Sequence, residues 1–140
     1  MPASPEAVAG GAPVARHPFE YAIVRVVPRV ERGEGFNAGI VMLSRAGRFL
    51  GARTTLDEAL LAVMSPDCDP EAIRDHLAAI ERIAAGDPDA GPIADLSAPE
   101  RFHWLVSPSS TVIQVSPVHT GLTADPAATL DHLFRTLVLR

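Results

Sequence analysis

Two segments near the start of the chain have the hydrophobic patterns of neighbouring β-strands, and they constrain the fold more than any other part of the sequence. Residues 21–30 alternate between a fully apolar side and a mixed side that carries Arg25 and Arg29. Residues 36–44 are apolar on both sides, as in the central strand of a sheet. A tight turn then leads into a third strand over residues 49–54. Together these segments predict an antiparallel meander.

Helix-start signals follow the meander. Each combines a residue that can cap a helix N-terminus with a proline or a glutamate in the first turn. The signals are Thr55 with Glu58, Asp69 with Pro70, Ser97 with Glu100, and Asp125 with Pro126. Residues 111–116 form a fourth strand, which Pro117 terminates. We therefore predict an α+β fold, with a small antiparallel sheet of about four strands (a meander plus a later strand) and three to four helices packed on it.

The length and composition of the chain fit one domain over residues 19–140. The chain has 140 residues and 47% hydrophobic positions, which is enough apolar material for a single core. Its first 18 residues are rich in alanine, proline and glycine, and they lack the charged start and apolar centre of a signal peptide. We expect residues 1–18 to form a flexible tail and the protein to be cytoplasmic. No apolar run reaches the roughly 18 residues that a membrane helix needs, so we expect no membrane span.

Charge is distributed unevenly along the chain, whose net charge is −5. All basic residues are arginines, and residues 16–53 hold seven of them against three glutamates. This asymmetry predicts a basic sheet surface and an acidic helical surface, which suits docking to a protein partner. A net acidic chain with few aromatic residues is a poor nucleic-acid binder, so we do not expect nucleic acid as the main partner.

The stretch over residues 101–121 concentrates polar side chains that suggest a site. His119 follows the fourth strand and precedes a glycine turn. A histidine there can act as a general base or a ligand contact, or it can bond its own loop backbone. The hydroxyls of Ser109, Ser110 and Thr111 can bind an anion, or they can only satisfy backbone donors of their own turn.

Arg25 and Arg29 belong to the first strand, and its alternation predicts that they project from one side, about 13 Å apart. Together with Asn37 they can clamp a phosphate or a carboxylate, or they can form a solvated face with Arg–Glu pairs. Trp104 is either a core residue or an anchor at an interface. The candidate interface therefore consists of Arg25, Arg29 and Trp104.

No sequence motif identifies a catalytic or cofactor-binding centre. The spaced glycines of residues 33–39 lie between two strands, so no helix N-terminus follows them to bind a phosphate. No two histidines have the spacing of a helical metal site, and the single Cys68 adds no metal motif. No G-x-S-x-G motif marks a nucleophile. We expect no cofactor and no metal, and the balance favours a protein that is not an enzyme.

Four stretches of the chain together resemble a bacterial family known only as domain-of-unknown-function family 3037; they are residues 21–28, 36–40, 91–93 and 100–121. The resemblance implies a short, single-domain bacterial protein. It also implies a partnership with kinases similar to HipA, which are encoded near members of the family. It supplies no catalytic residue, and the chain itself has no kinase motif and no lysine.

Three functions are open on the sequence alone. The first is a non-catalytic accessory or interaction module, with a HipA-like kinase as the implied partner. The second is a small enzyme or ligand-binding protein that holds an anionic, phosphate-containing molecule with Arg25, Arg101, Gln114 and His119. The third is a weak nucleic-acid binder that uses the arginine-bearing sheet face. An exposed sheet edge also permits a homodimer.

Overall fold

A computed structural model of the protein describes residues 15–109 and 111–140. Its centre is an antiparallel sheet of five strands, which are β1 (His17–Arg29), β2 (Glu34–Ser44), β3 (Phe49–Thr54), β4 (Ile113–Val115) and β5 (His119–Thr123). Strand β1 pairs with β2 along one edge, and β2 pairs in turn with β3. Along its other edge β1 pairs first with β5 and then with β4. The sheet therefore has one long strand whose far edge is completed by two short ones.

Four α-helices accompany the sheet, and they are α1 (Glu58–Met64), α2 (Pro70–Ala85), α3 (Ala98–Leu105) and α4 (Pro126–Leu137). Short 3-10 helices lie at Val30–Arg32, Pro88–Ala90 and Pro92–Asp95. The predicted α+β fold class, with its antiparallel meander, is confirmed. In the part of the chain that the structure describes, no helix combines the length and the apolar character that crossing a membrane requires.

The sheet differs from the prediction at its ends. Strand β5 was not predicted, and β4 is shorter than the predicted strand over residues 111–116. Strand β1 starts at His17, so the last two residues of the predicted tail belong to the sheet, paired with β5. The rest of the predicted tail lies almost entirely in residues 1–14, outside the described residues.

Helices cover both sides of the sheet, and each side has its own buried cluster. On one side, which we call the three-helix side, Val24 and Val41 of the sheet belong to a cluster with Leu77 of α2 and Phe102 of α3. On the other side, which we call the α4 side, strand β2 contributes Ile40 and Met42 to a cluster with Phe134 of α4.

Helix α4 does not cover the whole of its side. It contacts mainly β2 and β3. Tyr21, Ile23 and Arg25 of β1 therefore stay partly exposed, although β1 is in the middle of the sheet. The result is an open stretch of sheet beside α4.

A β-bulge in β1 changes the predicted arginine pair. Arg25 lies opposite Asn37 on β2, whereas Arg29 lies opposite Glu34. Four steps along β1 thus correspond to three along β2, so β1 holds one extra residue. Because side chains alternate along a strand, this extra residue puts Arg29 on the opposite side of the sheet from Arg25. The prediction that the two arginines share a side is therefore wrong.

The helix starts largely follow the predicted capping residues. The side chains of Asp69, Ser97 and Asp125 each accept a hydrogen bond from the backbone of the first turn, as predicted. The first helix is the exception, because Asp57 and not Thr55 caps it, accepting from the Leu60 amide at 3.0 Å.

Candidate functional site

A cleft of about 320 Å³ opens where the edge of the sheet meets α2 and α3. We call it the edge cleft. Its lining consists of His76 and Ile80 from α2, Trp104 and Leu105 from α3, Ser107, Pro108 and Ser109 from the following loop, and Ile113, Gln114 and Val115 from β4. The walls are therefore mostly apolar, with hydroxyl groups at one end.

Trp104 is the exposed large hydrophobic side chain of this cleft. Phe102 and Leu105, three positions apart on α3, point into the core and are buried. Trp104 falls beside that buried stripe, and 49% of its surface is exposed. Its interpretation as a core residue is therefore wrong, which leaves the alternative interpretation as an interface anchor.

The hydroxyl-rich segment satisfies its own backbone. Ser109 and Thr111 hydroxyls lie 2.9 Å apart, and the Thr111 hydroxyl donates to the Ile113 carbonyl at 2.8 Å. The Gln114 amide donates to the Thr111 carbonyl at 3.0 Å. Ser110, which was predicted to belong to the site, lies outside the described residues. These bonds favour the interpretation of a local turn over that of an anion-binding loop.

Three of the predicted site residues form a row across the α4 side of the sheet. Arg25 on β1 lies between Asn37 on β2 and Gln114 on β4, its direct cross-strand neighbours. The Arg25 Nε donates to Asn37 Oδ1 at 3.4 Å, and the Asn37 amide donates to the Leu137 carbonyl at 3.0 Å. Asn37 thereby links Arg25 to the C-terminal end of α4.

His119 lies further along the same side of the sheet. It opens β5 opposite Tyr21, so it belongs to a strand and not to the predicted loop. Its exposed ring contacts the Tyr21 ring, with 5.2 Å between the ring centroids. Because Tyr21 and Arg25 are four strand positions apart, His119 is roughly 13 Å away from the Arg25 row. Tyr21 was missing from the predicted site, although the alternation of residues 21–30 already placed it on the same side of the strand as Arg25.

Arg101 does not join this row. Its guanidinium donates to the Ala84 carbonyl at 3.3 Å and to the Leu96 carbonyl at 2.7 Å, and it lies against Gly86. It thus satisfies a carbonyl of the last turn of α2, on the three-helix side of the sheet. The predicted set of Arg25, Arg101, Gln114 and His119 is therefore not assembled around one pocket.

Ion pairs neutralise much of the predicted basic surface. Arg32 pairs with Glu34 at 2.7 Å, Arg53 with Asp131 at 2.5 Å, and Arg45 approaches Glu20 at 3.9 Å. The hydrogen bond from Arg32 lowers the pKa of the Glu34 carboxyl, and bonds from Arg135 and Arg53 lower the pKa of Asp131. Arg25 and Arg29 are different, since no described carboxylate forms an ion pair with either of them.

The side chains in the described part of the chain offer recognition chemistry. Residues 15–109 and 111–140 bring together no group of three or more His, Cys, Asp or Glu side chains that could hold a metal ion. What they present is an exposed tryptophan over an apolar cleft on one side, and an arginine without an acidic partner on the other. Both are features of binding surfaces.

One comparison with known proteins has a positive result. The family described as "Protein of unknown function (DUF3037)" matches residues 21–138. No curated protein and no solved structure matches the chain.

Proposed function

The chain belongs to the DUF3037 family, whose description assigns no activity, and we propose that it is a non-catalytic module that binds a protein partner through the edge cleft. The proposal rests on one observation, the half-exposed indole of Trp104 above an apolar cleft of about 320 Å³. A family resemblance supports a HipA-like kinase as the partner.

The energetics of Trp104 support a docking role. A tryptophan buries up to about 250 Å² of surface, so the exposed half of this side chain amounts to roughly 100 Å². Covering that area would stabilise a complex by on the order of 2–3 kcal/mol. Tryptophan is also one of the residue types that are enriched at the energetic centres of protein interfaces. The neighbouring Ile80 and Val115 supply an apolar wall against which a partner side chain can pack.

The test uses affinity capture followed by a direct binding measurement. The tagged wild-type protein, Trp104→Ala and Leu122→Ala are each captured from the native host at low salt, and co-purifying proteins are quantified by mass spectrometry. Leu122 is the matched control, because it is an apolar side chain on β5 with 65% exposure that is not part of the cleft. A purified HipA-like kinase is then titrated against the same three proteins.

We expect a stoichiometric partner on the wild type and on Leu122→Ala. Trp104→Ala should weaken the complex at least about thirtyfold, which corresponds to 2 kcal/mol. Equal capture by all three proteins would contradict the role of the cleft. If the kinase does not bind the wild type and another protein does, that protein is the partner instead of the kinase. The function as a binding module would still hold.

A further inference from the structure

The open stretch of sheet beside α4 is a second surface, which adjoins the edge cleft at Gln114 of β4. We call it the β1 face and define it by Tyr21, Ile23, Arg25, Gln114 and His119. The paired positions of Arg25 with Gln114 and of Tyr21 with His119 place these side chains on one side of the sheet. The cleft lies on the three-helix side, where Ile113 is buried with the helices. Apart from Gln114, no residue of the β1 face lines the cleft, so a ligand held by Arg25 and a ligand held by Trp104 contact largely different residues.

Arg25 gives the β1 face its chemical character. It is only partly exposed, and none of the ion pairs among the described residues includes it. Its Nε donates to Asn37 Oδ1, whereas neither terminal nitrogen donates to any described residue. Most other arginines of the described sheet and helices have a carboxylate within 4 Å, as Arg53 has in Asp131. Arg25 thus keeps two parallel donors that match the two oxygens of a carboxylate.

The surroundings of Arg25 strengthen this recognition. Asn37 is fixed by its bond to the Leu137 carbonyl, so it holds the guanidinium at a defined angle. Ile23 precedes Arg25 on the same side of β1, and it packs with Tyr21 against the buried cluster under α4. An ion pair that forms over an apolar floor is less screened by water than one on an open surface. The floor itself offers a place for an apolar neighbour of the anion.

We propose that the β1 face binds an acidic peptide segment of a protein partner. An aspartate or glutamate of that segment accepts two hydrogen bonds from the terminal nitrogens of Arg25. An adjacent apolar side chain packs on Tyr21 and Ile23. The complementarity is electrostatic and local, because the five residues of this face include a cation and no carboxylate, within a protein whose net charge is −5.

The probe for this proposal is a random dodecapeptide library displayed on phage. It is selected in parallel on the full-length wild type, Arg25→Gln and Arg25→Glu. Arg29→Gln is the matched control, because Arg29 belongs to the same strand and has no described acidic partner but projects from the other side of the sheet. Thermal unfolding of all variants establishes that they are folded. Selected peptides are then synthesised and titrated by calorimetry.

We expect the wild type and Arg29→Gln to enrich the same peptides, each with an acidic residue beside an apolar one. Arg25→Gln should bind these peptides at least about tenfold more weakly, and Arg25→Glu should enrich lysine or arginine at the acidic position. Arg25→Lys should fall between the wild type and Arg25→Gln, since it keeps the charge and loses the paired donors. Acidic peptides that bind equally to Arg25→Gln would overturn the proposal, and so would a selection without acidic enrichment.

Two further measurements separate this site from its alternatives. Inorganic phosphate is titrated while the Arg25 Nε–H resonance is followed by NMR. If phosphate binds more tightly than the selected peptides, the site holds a small anion and the peptide proposal fails. Trp104→Ala is titrated with the same peptides, and it should bind them like the wild type. The failure of the edge cleft as a docking site and the failure of the β1 face are thereby distinguishable.

Discussion

The ring of Phe19 lies on Gly121, its direct partner across β1 and β5. A Cβ atom at position 121 would come within 2.7 Å of two carbons of that ring. The contact requires a residue without a side chain at this position, and it lets the buried Phe19 close the end of the cluster under α4. Glycine in a strand is often explained by such a close approach.

Replacing Gly121 by alanine should therefore destabilise the fold. The added methyl group would displace the Phe19 ring from its packed position, at an expected cost of about 1–3 kcal/mol. Chemical denaturation measures the free energy of unfolding. Thr120→Ala, an exposed position on the same strand, is the control and should change it by less than about 0.5 kcal/mol. Equal stabilities of the two variants would show that the ring moves at no cost.

Arg101→Gln should lower stability without affecting peptide binding at the β1 face. The guanidinium satisfies the Ala84 and Leu96 carbonyls in a partly buried setting, and the loss of such bonds costs about 1–3 kcal/mol. Arg74→Gln serves as the control, since the exposed pair of Arg74 with Glu58 contributes little. A change in peptide affinity with unchanged stability would instead return Arg101 to the binding site.

The first helix offers a test of its capping residue. Asp57→Ala removes the acceptor for the Leu60 amide and should cost about 1 kcal/mol. Thr55→Ala should have almost no effect, because Asp57 and not Thr55 caps the helix. Thermal unfolding of the two variants shows which residue caps the helix. A larger loss of stability in Thr55→Ala than in Asp57→Ala would support the predicted capping box of Thr55 with Glu58.

Glu100 should make stability depend on pH in the acid range. Bonds from the Ser97 hydroxyl and the Ser97 amide lower the pKa of this carboxyl below its ordinary value of 4.5. Because the pKa in the folded state is the lower one, the stabilisation is complete above the ordinary value and is lost as the pH falls through the folded value. The difference in stability between the wild type and Glu100→Gln should therefore shrink as the pH is lowered from about 6 to 3. A difference that stays constant over this range would contradict the assignment.

Local interactions are the part of the fold that sequence patterns predicted well. Ser97 and Glu100 bond each other within one helical turn, and Gly86 ends α2 with a positive φ of 71°. Neither feature depends on distant residues. The hydrophobic alternation of β1 was also predicted correctly as far as Val26, because alternation is a pattern between adjacent residues.

Most of the errors involve pairing between separate segments of the chain, whereas the wrong cap of the first helix, Thr55 in place of Asp57, is a local one. Strand β5 contains a glycine and two threonines, and only its pairing with β1, about a hundred residues away, identifies it as a strand. The side on which Arg29 projects depends on a bulge that is defined by the register with β2. Arg101 was taken for a site residue because its carbonyl partner on α2 is not visible in the sequence. The sequence therefore predicted Arg25, Asn37 and Gln114 as site residues. It failed for residues whose position depends on contacts with other segments of the chain.

The far edge of β1 also determines how the sheet meets other chains. Between β4 and β5, Ser116 takes over the pairing, with its hydroxyl accepting from the Ile23 amide at 2.8 Å and its amide donating to the Ile23 carbonyl at 2.8 Å. The outer rim is thus two short strands interrupted at Pro117, and it offers an incoming strand no long, continuous row of backbone groups. At the opposite rim, the Glu81 carboxylate accepts a hydrogen bond from the Thr54 amide at 2.7 Å. Such interrupted rims hinder the addition of further strands, which protects a small sheet from growing into fibrils.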